Sequence, residues 1–191
     1  MKTLPRSTFA WVASLLVVLM IATRFKHVGD PLHLPDASMA IFFLGGLYLR
    51  RHVAFVACVL LAVALDWISV SYAGVSAFCI TVAYSFLPLA YAVLWYAGRA
   101  YAARSSGQPR ALPGALAVAF VAAVVSFAVS NGSFYWFGGR YPDPNMLQYV
   151  SRLWQWGPIF VRSTMAYVAV ALVLHAVAVR VLPRMGLRAH A

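Results

Sequence analysis

The chain has 191 residues, of which 63% are hydrophobic and only 10% are charged, whereas a soluble domain carries about 25% charged residues. This composition excludes an ordinary soluble domain and indicates an integral membrane protein surrounded by a lipid bilayer. The net charge of +11 would suggest nucleic acid binding in a soluble protein. Here Lys and Arg stand at the ends of apolar segments, where they act as topology signals, so no nucleic acid partner is predicted.

Six apolar segments follow one another along the chain and predict an all-α bundle of six transmembrane helices in a single domain. The domain covers residues 1–191, and its spans are predicted at about 8–23, 34–49, 53–71, 76–97, 112–130 and 158–179. The aromatic segment 131–157 is predicted as an outer loop. It either anchors the protein at the membrane interface through Trp and Tyr or covers a large ligand as a lid.

The distribution of basic residues predicts the orientation of the bundle. If the N-terminus is cytoplasmic, ten of the 15 basic residues lie on the inner side: Lys2, Arg6, Arg50, Arg51, Arg99, Arg104, Arg110, Arg180, Arg184 and Arg188. Both termini are therefore predicted in the cytoplasm. Trp95 is predicted near the inner membrane boundary, as part of a belt of amphipathic rings.

Asp66 is the one acidic residue of the sequence that stands more than a few positions inside a predicted span, because Asp36 lies at the outer start of the second span. An ionisable group there is costly, so it normally faces a polar cavity or a partner. It also stands within two turns of the predicted helix end, where water or an arginine of the outer loops could satisfy it. The predicted turn at Tyr72–Gly74 places Asp66 and Cys79 on adjacent antiparallel helices at similar depth, so we expect both side chains to face one cavity.

Cys79 is predicted in the first turn of the fourth span, where free N–H groups and the helix dipole stabilise a thiolate. A thiolate is a nucleophile and a soft metal ligand, although a cysteine in an apolar segment also fits a packing role. Cys58 has no ionisable neighbour and is interpreted as packing. Tyr84 follows Cys79 by roughly 140° around an α-helix. The two share a cavity only if the cavity is wide or the helix is irregular, and Pro88 could supply such an irregularity.

Histidines offer a second candidate site. His27 and His33 stand near Asp30 and Asp36 and could bind a metal ion. Their spacing matches no recognised zinc motif, and solvated histidines are the simpler interpretation.

Arg152 is the candidate in the aromatic segment. Its guanidinium could donate paired, charge-assisted hydrogen bonds to an amide, to a phosphate or to Asp66. The sequence contains no HExxH helix, GxSxG elbow or phosphate-binding glycine loop, so motif-defined protease, hydrolase and ATPase functions have no support.

Four short motifs carry a family resemblance. They are Leu65-Asp-Trp-Ile-Ser with Asp66, Ala77-Phe-Cys-Ile-Thr with Cys79, Val82-Ala-Tyr-Ser-Phe with Tyr84, and Val150-Ser-Arg-Leu-Trp with Arg152. The chain resembles the BtuM-type vitamin B12 transporters in these motifs, in the order of the motifs and in its overall size. These are solitary relatives of the substrate-binding S-components of energy-coupling factor (ECF) transporters.

The resemblance implies an S-component bundle in a bacterial inner membrane, with an outward-facing cavity that holds cobalamin as the transported ligand. In the family a cysteine is the axial ligand of cobalt and the vitamin is held base-off, a role that maps to Cys79. Asp66, Tyr84 and Arg152 would surround the corrin, and His27 also matches a family position. The family is associated with removal of cyanide from cyanocobalamin, which a thiolate assists by donating to cobalt from the opposite face.

The resemblance also implies two modes of uptake, either with an ECF energising module or, as for solitary members, without a dedicated one. Ala10, Ala13 and Ser14 leave room for close helix contact on the first span, but form no clear docking motif for that module.

Two other function classes are compatible with the composition. A membrane haem or redox protein would use His27, His33, His52 or His175, although the predicted topology leaves no facing pair of histidines. A non-catalytic assembly subunit would use its polar residues to join helices.

Overall fold

The computed structural model describes residues 5–24, 34–105 and 111–181, without the side chains of Cys79 and Val181. The described residues contain no strand. They form six α-helices, which are α1 (Arg6–Arg24), α2 (Ser38–Tyr48), α3 (His52–Tyr72), α4 (Leu87–Arg104), α5 (Leu112–Phe137) and α6 (Met146–Val181). Two 3-10 helices, Ala77–Cys79 and Val82–Phe86, connect α3 to α4. The predicted all-α class is therefore confirmed for the described part of the chain.

Four of the helices, α1, α3, α5 and α6, are long and apolar enough to cross a membrane. Large apolar side chains cover their outer surfaces, for example Trp11 on α1, Leu60 on α3 and Val173 on α6, each more than 60% exposed. Continuous apolar surface of this extent is typical of contact with lipid. The chain is thus built as a multi-pass membrane protein.

The short helix α2 forms the centre of the bundle. Nine of its 11 residues are buried, as expected for a helix that is apolar on all sides. At about 17 Å it is shorter than the roughly 30 Å hydrocarbon core of a bilayer.

Close contact between α2 and α4 holds this centre together. A Cβ atom added at Gly46 would overlap the backbone carbonyl of Trp95, and one at Gly98 would overlap that of Phe43. Small residues allow such close approach of helix backbones. Trp95 is fully buried in this contact, so its predicted position in an interfacial belt is wrong.

The region predicted as the start of the fourth span is not a continuous helix. α4 begins only at Leu87, and Ile80 and Thr81 between the two 3-10 helices have extended backbone. β-branched residues favour extended conformations. The prediction that Cys79 lies in the first turn of an α-helix is therefore wrong. The irregular backbone between the two 3-10 helices would allow Cys79 and Tyr84 to share a cavity. Pro88 does not kink a helix here, because it lies at the start of α4.

The aromatic segment predicted as a loop is mostly helical, so that prediction is also wrong. α5 continues to Phe137 and α6 begins at Met146, which leaves 138–145 as the connection. Aromatic packing between the two helices explains the difference, because the rings of Tyr135 and Tyr149 stack with centroids 5.6 Å apart. The Tyr135 hydroxyl also accepts a 2.8 Å hydrogen bond from the Asn145 backbone N–H at the start of α6.

Candidate functional site

A cavity of about 450 Å³ lies between the 3-10 helices and the adjoining parts of α1 to α6. Its volume is within the range of roughly 300–1,000 Å³ that small-molecule sites occupy. Most of its wall is apolar and aromatic, and its charged groups are two arginines and two aspartates: Arg24, Arg152, Asp36 and Asp66.

Three of the five predicted site residues line this cavity, namely Asp66, Tyr84 and Arg152. Phe78, the chain neighbour of Cys79, lines it as well. The side chain of Cys79 and the whole of His27 lie outside the described residues. The fold therefore brings together three residues that are up to 86 positions apart in the sequence.

Asp66 is held by an arginine that the sequence analysis did not single out. Nε and Nη2 of Arg24, the last residue of α1, donate hydrogen bonds of 2.6 Å each to the two carboxylate oxygens of Asp66 on α3. This two-pronged geometry is the strongest arrangement of a guanidinium and a carboxylate. Pairing with an arginine, one of the alternatives raised for Asp66, is thus the one observed, and the partner is not Arg152.

The remaining donors of Arg24 join α2 and α4 to the same pair. Its Nη1 donates to the Ser38 hydroxyl at 2.6 Å and to the Tyr91 hydroxyl at 2.8 Å. Asp36 stands 3.9 Å from Nη1 and accepts a 2.7 Å hydrogen bond from Ser38. Only 9% of the Arg24 side chain is exposed, so its charge is satisfied by protein groups rather than by water.

Tyr84 completes this group from the second 3-10 helix. Its hydroxyl donates a 2.6 Å hydrogen bond to Oδ2 of Asp66. We call the six connected residues the Arg24 cluster; they are Arg24, Asp36, Ser38, Asp66, Tyr84 and Tyr91. The cluster connects five helical elements around one end of the cavity.

Arg152 lines the cavity from α6, and its surroundings differ from those of Arg24. Its guanidinium carbon is 4.8 Å from the centre of the Tyr141 ring, which provides a cation–π contact. Among the described residues no carboxylate is within ion-pair distance of Arg152, and its buried Nε has no hydrogen-bond partner.

Asn131 on α5 is a second polar residue of the cavity that the sequence analysis missed. It lines the cavity, and its Oδ1 is buried without a hydrogen-bond partner in the described part of the chain. Buried polar atoms are normally paired, so each exception needs an explanation. No sequence signal distinguishes Asn131. Arg24 does have a sequence signal, because this arginine ends an apolar span near an intramembrane acid that needs a partner.

The other candidates from the sequence lie elsewhere. Cys58 is a buried free thiol on α3, which fits its packing role. His52 contacts Tyr96 and Arg99, and His175 packs against the Tyr48 ring at 5.7 Å between centroids. Within the described residues no three His, Cys, Asp or Glu side chains group as metal ligands. His33 and Asp30 fall outside those residues.

Comparisons of this chain with protein-family models and with curated proteins give no match. Its function is therefore inferred from the residues of the cavity and their chemistry.

Proposed function

We propose that the protein binds cobalamin in this cavity and mediates its uptake across a bacterial inner membrane. The Cys79 thiolate is the proposed axial ligand of base-off cobalt. The observation that carries the proposal is the convergence of Asp66, Tyr84 and Arg152 on one cavity, together with the neighbour of Cys79 in the chain.

The wall of the cavity suits a corrinoid. A corrin has broad apolar faces and a rim of amide side chains. Aromatic rings of Phe78, Phe134 and Trp156 provide apolar surface, and a few polar groups are available to the rim. Sites for small molecules combine these two features. Cobalamin is larger than a cavity of this volume holds, so part of it would extend beyond the described walls.

Thiolate coordination fits the chemistry of cobalt. A thiolate is a soft donor for a transition metal. Phe78, the neighbour of Cys79 in the chain, lines the cavity, and the first 3-10 helix ends at this cysteine. Coordination therefore does not depend on a helix dipole at this position.

Removal of cyanide would follow from the same coordination. A thiolate that donates to cobalt(III) weakens the cobalt–carbon bond on the opposite face. The cyanide then leaves with the bonding electron pair and takes up a proton, while cobalt keeps its oxidation state. No further redox partner is required for this step.

The topology that belongs to this proposal has six spans and cytoplasmic termini. In it, α2 and the α4 region add two shorter crossings to the four long helices. The excess of basic residues on the side of the termini supports this orientation. An ECF energising module would then approach the bundle from the cytoplasm.

The alternative functions have less support. A haem protein would need histidines that face each other. His52 instead lies between Tyr96 and Arg99, and His175 lies against Tyr48. An assembly subunit would need no cavity, whereas Asn131 and Arg152 leave polar atoms unpaired at this one.

The test is the visible absorption spectrum of the protein purified from cells that were given cobalamin. We expect a corrin spectrum shifted from that of free cobalamin in the wild-type protein, and loss of this shift in Cys79→Ala. Cys58→Ala is the matched control, because its thiol is buried in α3, and should leave the shift unchanged. A Soret band would instead identify a haem protein, and a colourless protein that cannot be loaded would overturn the proposal.

A further inference from the structure

The side of the cavity formed by α5 and α6 has a positive charge, and no carboxylate of the described residues lies within ion-pair distance of it. Asn131, Phe134 and Tyr135 occupy positions i, i+3 and i+4 of α5 and so share one helix face. The Tyr141 ring lies 6.4 Å from that of Phe134 and 4.7 Å from that of Tyr135. Arg152 rests on Tyr141, and both Arg152 and Asn131 line the cavity on this side. We call these two residues with Tyr141 the α5–α6 corner.

Charge distinguishes this corner from the rest of the cavity. The Arg24 cluster contains one guanidinium and two carboxylates, so its cation is fully compensated. Arg152 is half-buried, and in the described part of the chain it has no carboxylate within ion-pair distance. A cation in a mostly apolar wall is costly unless an anion accompanies it.

The hydrogen-bonding groups of the corner also favour an oxyanion. Asn131 lines the cavity, and beside its buried Oδ1 the side-chain amide carries an N–H donor group. The Arg152 guanidinium rests on the Tyr141 ring and its Nε is buried, so its two terminal Nη groups are the donors that it can offer to a ligand. A second guanidinium, that of Arg140, stacks on the Phe78 ring at 4.8 Å and adds positive charge to this side. Guanidinium donors of this kind bind phosphate oxygens in pairs.

We infer that the α5–α6 corner binds a phosphodiester, and that it receives the phosphodiester of the nucleotide loop of cobalamin. This inference rests on the proposed function. A neutral amide of the corrin rim would satisfy the donors but would leave the charge of Arg152 without a counter-ion. The phosphodiester is the group of cobalamin that accepts the hydrogen bonds and also supplies the negative charge.

The test compares the affinities of cobalamin and cobinamide, which has the same corrin ring but no nucleotide loop. We expect Arg152→Gln to weaken cobalamin binding about tenfold or more, as for loss of a charged hydrogen bond. It should weaken cobinamide binding much less. Asn131→Leu should act in the same direction with a smaller effect. Arg162→Gln is the matched control, because Arg162 is an exposed arginine of the same helix that does not line the cavity.

Two outcomes would overturn the assignment of the corner. Equal losses for both ligands would show a structural role or an amide contact, and unchanged cobalamin binding in Arg152→Gln would show no role in binding. A phospholipid headgroup carries the same phosphodiester chemistry. If phosphatidylglycerol added to the micelles displaces cobalamin from the wild-type protein only, the corner binds lipid rather than the ligand.

A further measurement separates this inference from the proposed function. If the wild-type protein binds neither corrinoid, the proposed function fails. Thermal unfolding with dimethyl phosphate then judges the corner. Stabilisation of the wild-type protein that is absent in Arg152→Gln would retain a phosphodiester site, and no stabilisation would exclude one.

Discussion

Two arginines line the same cavity, and their surroundings are opposite. Arg24 donates four hydrogen bonds to described side chains and is paired with the carboxylate of Asp66. Arg152 contacts an aromatic ring and has no ion-pair partner in the described part of the chain. Removing the partner of a buried paired charge destabilises the protein, whereas an arginine without a counter-ion is a candidate for binding an anion.

Because of this difference, we expect the two ends of the cavity to have separate roles. The Arg24 cluster connects α1, α2, α3, α4 and the second 3-10 helix, so it shapes the cavity. In the α5–α6 corner, the Nε donor of Arg152 and the Oδ1 acceptor of Asn131 have no partner among the described residues. Substitutions in the cluster should therefore change stability first, and substitutions in the corner should change binding first.

Asp66→Leu should have the largest effect. It removes the carboxylate from a buried guanidinium, which costs about 3–5 kcal/mol in comparable buried pairs. We expect a large loss of stability in thermal unfolding of the detergent-purified protein. The double variant Arg24→Leu with Asp66→Leu should be more stable than Asp66→Leu alone, because no unpaired charge remains. If the double variant loses the sum of the two single effects, the pair is not coupled.

Tyr84→Phe should have the next largest effect. It removes one hydrogen bond to the Asp66 carboxylate, and hydrogen bonds to charged groups contribute about 1.5–3 kcal/mol. The value should be near the lower limit because Tyr84 is only partly buried. The same unfolding measurement on Tyr72→Phe gives the control, since Tyr72 is 76% exposed. Equal stability of the two variants would contradict a role of Tyr84 in the cluster.

Asn131→Leu should act in the opposite direction on stability. Replacing a polar group that lacks a partner by an apolar one is neutral or stabilising, here by about 1 kcal/mol. The variant should unfold at an equal or higher temperature in the absence of ligand, while ligand affinity falls. A clear loss of stability would place Asn131 among the structural residues and remove the contrast between the two ends.

Tyr141→Leu should have the smallest effect. A partly exposed cation–π contact contributes about 0.5–1 kcal/mol, so unfolding should change little. Ligand affinity should fall slightly, because the Arg152 guanidinium loses the ring on which it rests. Trp154→Leu on the outer surface of α6 is the control, as Trp154 is 77% exposed. A larger loss of affinity than in Arg152→Gln would contradict the assigned order.

Sequence patterns located most of the helices but not all of their ends. Apolar runs placed α1, α3 and the start of α5 to within a few residues, because lipid-facing helices need long apolar stretches. The Tyr and Trp side chains of the aromatic segment 131–157 suit a membrane interface and so predict a loop. Packing of Tyr135 against Tyr149 decides that these residues extend α5 and α6 instead.

The amino-acid sequence by itself determined that this is a membrane-embedded, all-helical chain with an acid inside a span, because the cost of burying charge is visible from one residue and its neighbours. Only the tertiary structure decided that Arg24 is the partner of Asp66 and that Trp95 is buried between helices. It likewise decided that Asn131 and Arg152 share a corner. Such contacts join residues distant in the sequence, and the burial of Trp95 depends on how closely the glycines of α2 and α4 allow these two helices to approach.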